Sequence, residues 1–131
     1  MKTKLGLLVI AGVLVLGMTA FAHHSIIGTY QFDKEVKLEA KIVGVQLRNP
    51  HSFIQVEAPD ENGVQQRWSM EWGGAGQLFN QGIDRNSLRI GDKVIVTGNP
   101  ARSGDKRARL TSIRRPADGF GWGTKPGETV D

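Results

Sequence analysis

Between Val36 and Ile42 the chain alternates strictly, with Val36, Leu38, Ala40 and Ile42 set between Lys37, Glu39 and Lys41. A period of two is the mark of a half-buried β-strand. At Val43-Gly44 the phase slips, and Val45 and Leu47 become the apolar set. A glycine at such a slip predicts a β-bulge, which bends a strand as a closed sheet requires. Asn49-Pro50 then ends the strand, because proline has no N–H to give to a ladder. A long strand that must bend restricts the chain to curved β architectures.

The following segments fit that restriction. Ser52 to Glu57 reads as a second strand, with Phe53, Ile54 and Val56 as its apolar content. Pro59-Asp60-Glu61-Asn62-Gly63 is a turn cluster ending in Asn-Gly, a strong hairpin signal. The third strand, Val64 to Trp72, places Val64, Gln66, Trp68, Met70 and Trp72 on one face. Gln65, Arg67, Ser69 and Glu71 fall on the other. Gly73-Gly74-Ala75-Gly76 breaks the pattern. Gln77 to Gln81 predicts a short helix that Gly82 stops in the left-handed conformation, and Ile83 and Leu88 pack the connection down. A fourth strand runs from Lys93 to Gly98, closed by Asn99-Pro100, and a turn at Ser103-Gly104-Asp105 leads to a last strand, Arg107 to Arg115. Ala108 and Leu110 share a face of that strand; Ile113 joins them only if a bulge intervenes.

Three strands, a short helix and two more strands, with a bulged first strand, describe a mostly β protein: a small OB-like five-stranded Greek-key barrel with one short helix between strands 3 and 4. An open α+β sheet with the helix on one face is the competing arrangement.

The amino-terminal end carries a separate message. Lys2 and Lys4 precede an apolar run from Leu5 to Leu16, and Ala20-Phe21-Ala22 offers small residues for a cut after Ala22. That order is a secretory signal peptide over residues 1–22. The run is shorter than the roughly 20 apolar residues of a spanning helix, so no stable membrane span is expected after cleavage. The barrel domain is expected over 23–119 and a loose Gly- and Pro-rich tail over 120–131. Cleavage takes two lysines with it and lowers the formal charge from +4 to +2, which weakens any electrostatic case for nucleic acid. The chain has no cysteine, which excludes disulfides, thiolate metal sites and thiol catalysis. Stability must come from an apolar core.

The three histidines, His23, His24 and His51, point to chemistry. A cut after Ala22 makes His23 the new terminus, where the α-amino nitrogen and Nδ1 chelate together. The amino group, with a pKa of about 7.7–8.0, gives up its proton to a metal near neutral pH. A second imidazole completes a nitrogen-rich site that suits Cu(II), and His51, on a loop stiffened by Pro50, is placed to supply it. Glu71 enters either as a fourth ligand or as the acceptor behind a ligating imidazole. The plain alternative is idle, solvated terminal histidines and a His51 that bonds to backbone.

Other features support less. Arg102, Lys106, Arg107, Arg109, Arg114 and Arg115 crowd the last hairpin, a pattern that fits a polyanion groove in an OB barrel. The export signal argues against nucleic acid, and no aromatics interleave with these arginines, so a solvated strand face is the expectation. Trp68 and Trp72 alternate with Met70 and read as core. The stretch 73–76 precedes a helix as an anion-binding loop does, but it lacks a nucleotide loop's spacing and lysine and reads as a flexible turn. Ser25 beside His24 has no strained elbow around it, and no carboxylate pair stands out, so a non-enzyme is expected.

His23-His24-Ser25 after an export signal, Tyr30 and Asp33, Asn49-Pro50-His51, Trp68-x-x-Glu71, and Gly91-Asp92-x-Val94-x-Val96-x-Gly98-x-Pro100-Ala101 resemble a family of small exported bacterial proteins of unknown function. The likeness runs from His23 to about Gly119 and departs at Leu47, Ile83 and 73–76. It implies the compartment and the domain limits and supplies no mechanism. Two readings stand: a periplasmic or secreted barrel that binds a Cu(II)-type metal through His23, His24 and His51, with Glu71 in support, or a metal-free module that binds an envelope protein.

Overall fold

The computed structural model describes residues 26–124. The expected signal peptide, His23, His24 and Ser25 lie outside that range. Six strands carry the fold: β1 (Val36–Gln46), β2 (Ser52–Pro59), β3 (Gln65–Trp72), β4 (Lys93–Pro100), β5 (Arg107–Arg115) and β6 (Phe120–Trp122). One short helix, α1 (Ala75–Asn80), stands between β3 and β4. Neighbours pair in the order β3-β2-β1-β4-β5-β6, and β3 also pairs with β5. That last, parallel pairing joins Ser69–Glu71 to Arg107–Arg109 and closes five strands into the expected OB-like barrel.

Both bends are where a barrel needs them. On β1, Ile42 faces Val56 while Gly44 faces Gln55, so Val43 is the extra residue. On β5, Leu110 faces Gly98 while Ser112 faces Thr97, so Thr111 is extra. The second bulge restores Ile113 to the face of Ala108 and Leu110, and all three are fully buried. Around them, Ile42, Ile54, Val56, Met70, Trp72 and Val96 fill the interior. Leu78 of α1 joins that core, and Ile83 and Leu88 bury the connection that follows. Gly82 stops the helix with φ +83°, as its sequence position predicts.

Two expectations need correction. β4 runs on through Asn99 and Pro100, because Pro100 needs no N–H here: its carbonyl accepts from Gln31 N at 3.0 Å. The ordered domain also passes residue 119. β6 pairs with β5 from Ile113 to Arg115, so residues 120–122 are not part of a loose tail. Trp122 is 1% exposed. Its ring meets Trp72 edge-on at 5.1 Å, and its Nε1 donates to Gln81 Oε1 at 2.7 Å. Among the described residues, no helix is long and apolar enough to cross a membrane.

Gly98 sits opposite the β5 bulge, where a Cβ would lie 2.5 Å from the Arg109 carbonyl oxygen. A Gly98→Ala protein is therefore expected to lose about 1–3 kcal/mol of stability, read as an earlier midpoint in urea unfolding.

Candidate functional site

Glu71 lies on β3 beside the closing seam of the barrel. In register it faces Phe53 of β2 on one side and Arg109 of β5 on the other. Its side chain points away from the core, yet the residue is buried, because the segment before β1 returns over this part of the sheet. Tyr30 anchors that return. It bridges to Ala101, and Arg102 N donates to Thr29 O at 2.8 Å. The fully buried Tyr30 donates its hydroxyl to Glu71 Oε2. Arg107 Nη2 donates to the same oxygen at 2.7 Å, and His51 Nδ1 lies 2.7 Å from the other, Oε1. One carboxylate thus gathers donors from three distant segments.

The loop that delivers His51 is held from both sides. Ser52 Oγ accepts from Arg48 N and donates to Arg48 O, at 3.1 and 3.2 Å. Ser52 N donates to Gly73 O at 3.0 Å, and Ala75 N to Arg48 O at 3.0 Å. Gly76 N reaches Asn49 Oδ1 at 3.3 Å. A Cβ on Gly74 would sit 2.7 Å from both Asn49 Oδ1 and the Pro50 carbonyl oxygen, so glycine is what lets the two loops touch. Gly73 and Gly74 are buried, and the first amides of α1 already have acceptors. The glycine-rich stretch is therefore a packed support for the His51 loop; it is neither a flexible turn nor an open anion cradle.

Charge in the cluster is balanced by contact. Burial pushes the Glu71 carboxyl up, but the Tyr30 and Arg107 hydrogen bonds and the Arg107 charge outweigh it and hold the group below its ordinary value. Glu71 is thus an ionised acceptor. Burial and the bond to Glu71 push the Tyr30 phenol well up, so it stays a donor. Facing an ionised Glu71, His51 presents Nδ1–H to the carboxylate, which turns Nε2 the other way. The imidazole is 21% exposed.

The structure brings together two of the sequence-predicted site residues, His51 and Glu71. The other two, His23 and His24, lie outside the described residues. Glu71 receives donors on both oxygens, Tyr30 and Arg107 on Oε2 and His51 on Oε1, and so stands behind the imidazole as an acceptor. Among the described residues, no three His, Asp or Glu side chains group around a space for a metal ion. Sequence reasoning missed Tyr30 and Arg107 as partners. Tyr30 is the chain's one tyrosine, but nothing local links it to β3.

The basic hairpin also differs from expectation. Aromatics do interleave with its arginines, in space if not along the chain. Arg107 lies over the rings of Tyr30 and Phe53, at 5.6 and 5.8 Å. Arg109 lies over Phe32 at 5.3 Å and Arg115 over Phe120 at 4.9 Å. Across the seam, Arg48 lies over Phe53 at 5.1 Å. Such stacking fixes a guanidinium without removing its charge.

A family of unknown function (DUF6152) matches this chain over residues 11–110. No curated protein and no solved structure matches it. The matched span includes Tyr30, His51, Glu71 and Arg107, and over that length the chain belongs to the DUF6152 family.

Proposed function

We propose that the protein is an exported binding protein, periplasmic or secreted, that holds a Cu(II)-type cation between His51 and the histidines beginning the processed chain, His23 and His24. The observation that carries this reading is the 2.7 Å approach of His51 Nδ1 to Glu71 Oε1. A carboxylate behind one ring nitrogen fixes the tautomer and aims the other as a ligand, the usual arrangement behind a metal-bound histidine.

The fold adds support through Tyr30. Its hydroxyl shares the carboxylate that orients His51, and His24 lies six positions before it. A short lead-in therefore joins the histidines of the processed chain to the residue that grips Glu71. His23 then supplies its Nδ1 and the freed amino nitrogen, with His51 Nε2 as the third donor and His24 as a further imidazole. Cu(II) favours such nitrogen ligands. The role is binding and not catalysis: Ser52, the hydroxyl next to His51, is engaged by the Arg48 backbone.

Calorimetry on the processed protein is expected to show one Cu(II) per chain. His51→Ala should weaken that binding by at least about tenfold, the scale of one lost ligand interaction. Equal affinities in the two proteins would end the reading.

A further inference from the structure

Two guanidiniums approach one ring on the outer face of the barrel. Arg48, on the loop between β1 and β2, lies 5.1 Å from the Phe53 centroid, and Arg107, at the start of β5, lies 5.8 Å from the same centroid. Arg107 pairs with Glu71. Arg48 is exposed, and among the described residues its guanidinium has no hydrogen bond or ion pair. Glu71 serves Tyr30, Arg107 and His51. The face therefore carries positive charge in excess, on donors that a ring holds in place and does not neutralise.

We propose that this face binds a phosphate-bearing ligand between Arg48 and Arg107. Guanidinium forks match the geometry of oxyanions and bind them through paired N–H donors. A phosphate offers three acceptor oxygens and about two charges, enough to serve two arginines that come from different segments. The Phe53 ring lies under the guanidiniums, so it holds the cations and is not a stacking platform for a base or a sugar. The ligand sits against the loop that carries His51 but needs no metal.

The test uses protein purified as its host processes it, with EDTA present so that any metal at His51 plays no part. Inorganic pyrophosphate is the probe in calorimetry, and sedimentation with phosphatidylglycerol vesicles is the second arm. The wild type is expected to bind pyrophosphate, and Arg48→Ala to weaken it at least about tenfold, the scale of a lost hydrogen bond to a charged group. Arg85→Ala removes the same charge from an exposed turn after α1 and is expected to leave binding unchanged. Vesicle binding that pyrophosphate displaces assigns the phosphate to a lipid headgroup; pyrophosphate binding without vesicle association assigns it to a soluble ligand. No binding of either probe, no effect of Arg48→Ala, or equal losses in the two variants would overturn the proposal.

Discussion

Replacing Trp122 with alanine is expected to lower the unfolding free energy by about 3–5 kcal/mol, the range for deleting a buried tryptophan. The residue ends a strand of only three residues, yet it is as buried as the centre of the core. Its ring packs edge-on against Trp72, and its indole N–H bonds to Gln81 just after α1. Removing it empties space between the barrel wall and the helix, which the rigid β5 backbone does little to refill. Small domains are stable by only about 5–15 kcal/mol, so the variant should stand near the edge of folding. Urea unfolding followed by fluorescence measures the change. A loss under about 1 kcal/mol would mean that β6 is an ornament on the barrel.

Glu71→Ala should cost about 2–3 kcal/mol. Breaking a buried ion pair costs about 3–5 kcal/mol, and the value here is lower because the Arg107 side chain is 41% exposed. The variant leaves the buried Tyr30 hydroxyl without its acceptor and frees both Arg107 and His51. The sign of the pH dependence follows from the same contacts. The folded state holds the Glu71 carboxyl below its ordinary value, so the unfolded chain binds the proton more readily. The contribution of Glu71 is complete above the unfolded value, near pH 4.3. It drains away as the pH falls through the lower folded value. Asp60, Asp92 and Asp118 are also held low and add to the acid sensitivity of any variant. The difference between wild type and Glu71→Gln isolates Glu71: the wild type should lose more stability between neutral and acid pH. Parallel curves would refute the assignment.

The parts of this fold visible in the sequence are those governed by local rules. The slip at Val43-Gly44 is legible because an apolar set lies on each side of it. Ser103-Gly104-Asp105 and the Asn62-Gly63 turn mark hairpins by their own chemistry. Ile113 was out of phase until a bulge at Thr111 reconciled it, and a strand with so few apolar residues cannot show that bulge unaided. Phe120-Gly121-Trp122 is too short to display a period, and the glycines around it mimic a loose end; only the partner strand reveals it.

The site divides the same way. His51 precedes Phe53 by two positions, and the β2–β3 register sets Phe53 against Glu71, so their meeting depends on one hairpin. Tyr30 and Arg107 reach Glu71 through the returning lead-in and the parallel β3–β5 seam, and no local pattern encodes either. The stacked arginines are hidden for the same reason, since Phe53 and Arg107 lie on β2 and β5, which meet only across β3.

Because Glu71 collects donors from residues 30, 51 and 107, it acts as a non-covalent clasp between chain ends that are far apart in sequence. A disulfide would make such a tie covalent, but this chain has no cysteine. Its clasp therefore ignores thiol reductants and answers to protons.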